Sequence, residues 1–271
     1  MITLHSVFAA RQRIAPHITH TPLVPAPSLS SHTREVRLKL ETTQPIGAFK
    51  LRGAVNALAQ LTPEQRRQGV VCASTGNHGR ALAYAAGIFG AKAVICMSSL
   101  VPQNKIDAIE ALGAHAIIHG NSQDDAQLKV NELVRERGMT EIPPFDHPDV
   151  IAGQGTIGLE ILESWPEVDT ILVGLSGGGL LGGIALAAKT INPAIQVIGL
   201  SPRRGAAMAT SLAAQKPVDV EELPTLADSL GGGIGLDNRY SFNLVQQYMD
   251  ELLLLDEAQI AAGMRHLYFN E

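Results

Sequence analysis

A chain of 271 residues with 45% apolar and 17% charged side chains can bury a substantial core as one large domain or two modest ones, which excludes intrinsic disorder. Its formal net charge of −5, from 21 basic and 26 acidic side chains with no basic run, argues against a nucleic-acid partner and for a small ligand. Two cysteines, Cys72 and Cys96, form neither a CxxC pair nor a disulfide framework, so a reducing, cytoplasmic compartment and no thiolate metal site are expected.

The start, MITLHSVFAARQR, lacks a positive stretch ahead of an apolar core and does not read as a secretory signal. Around Lys50, in PIGAFKLRGAVNAL, the residues Leu51, Ala54, Val55 and Leu58 form an apolar stripe at helical spacing. From Val70 onward short β-branched runs alternate with helical patterns, the signature of right-handed crossover units on a parallel sheet. VVCA, AVICM, HAIIH, TILVGL and QVIGL are the strand candidates, and their apolar character suits strands buried on both faces. Between them NHGRALAYAAGIFG, NKIDAIEALG, DDAQLKVNELVRERG, GTIGLEILESW and LLGGIALAAKTI carry helical spacing, several ending at Gly or Asn. The polar, proline-bearing residues 141–148 (EIPPFDHP) are the best linker, and a domain crossing is expected there. Beyond Lys216 the chain is irregular and glycine-rich, with helical patterns from Ser241 and Asp256 that stop in mid-pattern at HLYFNE.

Residues 171–188 carry no charge, and a hydropathy window would flag them as a membrane span. Six glycines divide them into strand (TILVGL), turn (SGGG) and helix (LLGGIALAAK). Each piece is too short to cross a bilayer, so a buried α/β unit and no membrane partner are expected.

Residues 70–97 and 170–200 repeat one plan of strand, Gly-containing turn, helix and strand. The turn SGGGL at residues 176–180 offers backbone N–H groups at a helix start, where the dipole suits a dianionic phosphate. Its glycines serve equally well for close helix–sheet packing. A dinucleotide fingerprint would place an acidic ribose partner about 20 residues on, and TINPAIQ there has no carboxylate. The other turn, Ser74-Thr75-Gly76-Asn77-His78-Gly79, can hold a carboxylate on hydroxyls, an amide and N–H groups, or can simply be a polar N-cap. Lys50 alone reads as a snorkelling surface lysine. As a set, an amine, a phosphate cradle and a carboxylate cradle are what pyridoxal phosphate requires to act on an amino acid.

The combination of AFKLRGA around Lys50, STGNHG at residues 74–79, VIAGQGTIGLEI at residues 150–161 and SGGGL at Ser176 resembles the fold-type II pyridoxal phosphate enzymes, in the serine/threonine dehydratase and serine racemase branch. Order and spacing cover nearly the whole chain. Within the branch, ASTGNHGRALAYAA is similar to bacterial dehydratases assigned to ectoine and hydroxyectoine utilisation. The resemblance implies a tryptophan synthase β-like α/β fold of two three-layer αβα domains with mostly parallel sheets. Residues 1–68 with 147–271 would form the large cofactor-binding domain and 69–146 the small one, and a homodimer is the common assembly. By resemblance Lys50 is the Schiff-base lysine and the base that removes the Cα proton, and Phe49 packs on the cofactor ring. Asn77 hydrogen-bonds the ring's 3'-oxygen, while Gly177, Gly178, Gly179 and Leu180 hold the phosphate. Ser74, Thr75, Gly76 and His78 line the substrate carboxylate site, with Thr75 also at the position where racemases use a serine on the second face of the ring.

Four departures qualify the match. Ala48 stands where the branch commonly has Ser, and threonine replaces the racemase serine at Thr75. Metal-dependent relatives carry carboxylates where this chain has Ser201 and Ala207, so no structural metal is expected. The branch contacts the pyridine nitrogen from a Ser or Cys beyond the point where this sequence stops, so a truncated member is expected, one that also lacks the regulatory domain of biosynthetic threonine deaminases. The activity expected is a threonine/serine ammonia-lyase that converts a β-hydroxy amino acid to a 2-oxo acid and ammonia. Alternatives are a dehydratase of hydroxyectoine or 3-hydroxyaspartate breakdown, a serine racemase, a non-catalytic metabolite sensor and a nicotinamide oxidoreductase.

Overall fold

The computed structural model describes residues 1–74 and 76–271. Helix α1 (Leu4–Ile14) begins with a reciprocal cap between Thr3 and Ser6, and is followed by the short antiparallel pair β1 (Leu23–Pro25) and β2 (Arg37–Lys39). Next come α2 (Lys50–Ala59), α3 (Pro63–Gln68), β3 (Val70–Ala73), α4 (Asn77–Phe89), β4 (Ala93–Met97), α5 (Gln103–Glu110), β5 (His115–Ile118), α6 (Gln123–Arg137) and β6 (Thr140–Glu141). The remainder is α7 (Pro148–Ser164), β7 (Thr170–Gly174), α8 (Gly179–Ile191), β8 (Gln196–Pro202), α9 (Ala207–Ala213), α10 (Ser241–Tyr248), β9 (Glu251–Leu255) and α11 (Glu257–Asn270). Residues divide into two compact units, Met1–Thr19 with Glu41–Gln154 and His20–Leu40 with Gly155–Glu271.

The first unit is built on a four-stranded parallel sheet in the order β5-β4-β3-β6. Strand side chains alternate between faces, and two cores result. Val70, Cys72, Ala93, Ile95 and Met97 share one with Leu51, Val55 and Leu58 of α2, Ala81 and Leu82 of α4 and Ile109 of α5. Val71, Ala73, Val94 and Cys96 share the other with Ala126, Val130 and Leu133 of α6. The unit is therefore a helix–sheet–helix sandwich, and truncating a side chain such as Leu51, Leu58 or Leu82, each fully buried, costs about 2–5 kcal/mol. The two cysteines are buried and not disulfide-bonded. Cys96 pairs with Ala73, whereas Cys72 pairs with Ile95, which puts the thiols on opposite faces.

The second unit carries a parallel sheet in the order β7-β8-β9. Helix α8 packs so closely on α7 that a side chain at Gly158 would lie 3.0 Å from the Ile184 carbonyl. The β1–β2 pair is tied to α7 by an ion pair. Lys39 Nζ donates to Glu160 Oε2 at 2.5 Å and to the Thr21 carbonyl at 2.6 Å, with both charged side chains under a tenth exposed. Arg37 lies 4.3 Å over the Trp165 ring.

All five expected strands and five expected helices form. Residues 171–188 are strand, turn and helix, and among the described residues no helix is long and apolar enough to cross a membrane. Three differences have physical reasons. Helix α7 starts at Pro148 rather than at the expected Gly155, because proline suits a first helical turn and Gly153 within it serves close packing, its missing Cβ leaving room for the Arg52 carbonyl at 2.6 Å. The two-residue β6 is completed by pairing with β3 and has no periodicity of its own. Strand β9 is a short leucine run between two helical patterns, too brief for alternation to mark it.

Candidate active site

Lys50 is the first residue of α2, and three contacts within its unit fix that start. Gly47 turns the chain at φ +73. Gln44, nearly fully buried, accepts from the Thr19 N–H at 3.1 Å and donates to the Thr19 carbonyl at 2.8 Å. Arg52, with no exposed surface, donates from Nε and Nη2 to the two Glu41 oxygens at 2.8 Å each, a fork that fixes direction as well as distance. Helix α2 also lies against the first turn of α7, since a Cβ on Gly53 would meet the Val150 carbonyl at 2.9 Å.

From this start Lys50 Nζ donates to the Pro144 carbonyl at 2.7 Å and lies 5.3 Å from the centre of the Phe49 ring. Loss of water around the ammonium lowers its pKa to about 8. His78, on the first turn of α4 and 3% exposed, hydrogen-bonds through Nε2 to the Ile142 carbonyl at 2.7 Å. A carbonyl only accepts, so Nε2 carries the proton and Nδ1 is a bare acceptor, buried and without a partner among the described residues. Desolvation, and then the charge of Lys50, lower the His78 pKa to about 3, so the ring is neutral at any physiological pH.

The turn after β3 is a side-chain construction. Ser74 Oγ accepts from the N–H groups of Gly76 at 3.4 Å and Gly79 at 3.1 Å, and Asn77 opens α4. Thr75 lies outside the described residues. Ser74, Gly76, Asn77 and His78 thus sit with Phe49 and Lys50 in the first unit.

Gly177, Gly178, Gly179 and Leu180 belong to the second unit, and there the turn is a backbone construction. Gly178 has φ +85, and a Cβ on it would lie 2.8 Å from Met208 Cε and 3.0 Å from Val245 Cγ2. Helix α8 begins without a side-chain cap, so its first-turn N–H groups retain the character of an anion site. The loop is secured from beneath, where buried Ser241 donates to the Gly177 carbonyl at 2.6 Å and Ser176 Oγ donates to the Gly231 carbonyl at 3.3 Å.

These residues fit pyridoxal phosphate. A desolvated amine of lowered pKa suits capture of the aldehyde, and an uncapped helix start cleared of side chains suits the phosphate. Among the described residues no group of three or more His, Cys, Asp or Glu could hold a metal ion. The carbonyls of Ile142 and Pro144, the Ser241 hydroxyl and the Glu41–Arg52 pair are given no role by the sequence. A backbone acceptor leaves no residue-type signal, although the Pro143–Pro144 pair, which supplies no N–H, marks where carbonyls need outside donors.

The chain belongs to the pyridoxal-phosphate dependent enzyme family, which it matches over residues 14–271. It is 52% identical, over its full length and 82% of the relative's, to a Sinorhizobium fredii protein named "Putative threonine dehydratase". It is 40% identical, over 98% of its length and 66% of the relative's, to the L-threonine ammonia-lyase of Thermotoga maritima. Among solved structures, maize serine racemase superposes with a TM-score of 0.94 at 35% identity, over 99% of this chain and 81% of the other.

Proposed function

We propose that the protein is a threonine/serine ammonia-lyase, which converts a β-hydroxy amino acid to a 2-oxo acid and ammonia. The observation that carries this is the Lys50 amine, held at 2.7 Å by the Pro144 carbonyl and brought to a pKa of about 8. When bound, pyridoxal phosphate supplies an aldehyde for that amine and an electron sink for the charge that develops at the substrate's Cα. Neutral Lys50 Nζ takes the Cα proton, and its lowered pKa keeps a usable fraction unprotonated near neutrality. Neutral His78 adds no second positive charge beside it. Ser74, Thr75 and Gly76 line the carboxylate site, next to His78, whose Nε2–H is committed to the Ile142 carbonyl; Phe49 and Asn77 face the ring, and Gly177, Gly178, Gly179 and Leu180 hold the phosphate. In this reading residues 69–146 act as the small domain and 1–68 with 147–271 as the cofactor-binding one, in a cytoplasmic homodimer.

Serine racemisation is the second reading, favoured by the likeness to maize serine racemase. The test is 2-oxo acid release from L-threonine, L-serine, D-serine and 3-hydroxyaspartate, with chiral analysis of recovered serine. Release from L-threonine supports the lyase. Inversion of serine without release replaces it with the racemase. A protein that neither turns yellow with pyridoxal phosphate nor keeps the cofactor on Lys50 after borohydride fails the reading altogether.

A further inference from the structure

We propose that His78 is a positioning residue for the Lys50 amine, acting through the Ile142–Pro144 turn; the inference rests on the role of Lys50 given above. The turn is tied at one end where the Ile142 N–H donates to the Val71 carbonyl at 3.0 Å, extending the pairing of β6 with β3. It is tied at the other where Asn56 Nδ2 donates to the Asp149 carbonyl at 2.7 Å. Between these anchors Pro143 and Pro144 have no N–H of their own to pin the backbone. Side chains hold it instead: His78 Nε2 on the Ile142 carbonyl and Lys50 Nζ on the Pro144 carbonyl, each at 2.7 Å. The two carbonyls are two residues apart on a stiff proline pair, so the place of the one that orients the lysine follows from the place of the one that the histidine holds.

The ring's unused half supports this. Among the described residues the buried His78 Nδ1 has no partner, so the hydrogen bond by which the ring is fixed is the one it donates to the Ile142 carbonyl. Because the ring stays neutral, what it contributes is a fixed N–H donor, and another neutral donor of similar reach should replace it. This separates positioning from proton transfer, which an amide could not perform. It also separates positioning from carboxylate binding, which would appear in KM.

The test uses purified protein resolved of cofactor. Pyridoxal phosphate is added back, the rise of visible absorbance is timed by stopped flow, and the adduct is fixed with borohydride and located on Lys50 by peptide mass. His78→Leu should slow capture at Lys50 at least tenfold and lower kcat for L-threonine similarly, with KM within about twofold. His78→Gln, which can donate to the Ile142 carbonyl, should restore both rates to within about threefold of the parent. Pro143→Gly, which loosens the turn while leaving both side chains in place, should slow capture severalfold and keeps the inference open to refutation if His78→Leu does not fold. Capture at the parent rate in His78→Leu, or in Pro143→Gly when the leucine variant is unfolded, overturns it. So does a rise in KM at unchanged capture rate, which puts the ring at the substrate carboxylate. If the parent yields no adduct on Lys50, the assignment of Lys50 fails and the inference falls with it.

Discussion

The turn after β3 and the turn after β7 both lead from a parallel strand into a helix, yet they present hydrogen-bonding groups by different means. At residues 74–79 the side chains are the content: Ser74 gathers N–H groups, and Asn77 and His78 bring an amide and a ring. At residues 177–179 side chains are excluded, with a positive-φ glycine in a space already filled by Met208 and Val245, and the flanking Ser176 and Ser241 hold the loop. The first design suits a ligand recognised by direction and shape, as an amino acid's carboxylate is. The second suits a dianion recognised by a concentrated field of N–H dipoles, where any Cβ would keep the ligand at a distance. One plan of secondary structure therefore yields two chemistries according to which residues are left out.

The largest expected effect comes from the amine that the first turn accompanies. Lys50→Ala should abolish borohydride-fixed cofactor and lower 2-oxo acid release about 10³-fold or more, as checked by absorbance and product assay. Next is the second turn. Gly178→Ala forces an L residue to φ +85 against a 2.8 Å contact, so stability should fall by at least 1–2 kcal/mol in denaturant unfolding, with weaker retention of pyridoxal phosphate. If the variant retains cofactor like the parent, the claim that this turn excludes side chains for the phosphate is broken.

Acid sharpens the contrast, since only the first turn carries a buried titratable ring. His78 has a pKa of about 3 in the fold against an ordinary 6.5, so the unfolded chain binds the extra proton. The stability linked to it is complete above pH 6.5 and is lost as pH falls towards 3, in total roughly 4–5 kcal/mol. Denaturant midpoints from pH 7 to 4 should show that slope, and His78→Gln should flatten it. The smallest effect is expected from Ser74→Ala, which removes the acceptor for two N–H groups and should cost about 1 kcal/mol, seen as a lower unfolding midpoint. A neutral result there would mean that water serves those groups as well as the hydroxyl does.

The crossover architecture was legible because β3, β4, β7 and β8 are compact apolar runs separated by helices with clear termination signals. Lys50, the Ser74 turn and the Gly177 turn stand out in the sequence only as a set, each being ordinary by itself. The acceptors of the lysine and histidine were not, because they are main-chain carbonyls of Pro144 and Ile142 and any residue carries one. In the sequence nothing distinguishes Arg52 from any other charge, and only its burial against Glu41 shows that it anchors the helix start. The residues 141–148, read as a linker, do more than connect: Glu141 ends β6 at the sheet edge, and the Pro144 carbonyl accepts from the lysine amine.

The placement of the two cysteines on opposite faces of one sheet gives the protein internal reporters. Burial pushes the Cys96 thiol up to about 11 and the Cys72 thiol higher still, and the thiolate is the reactive form, so neither reacts while helices cover its face of the sheet. Maleimide pulses would therefore time the uncovering of the two faces, Cys72 reporting on the layer of α2 and α4 and Cys96 on the layer of α6. Equal labelling rates would mean that both layers detach in one event, and unequal rates would identify which detaches first.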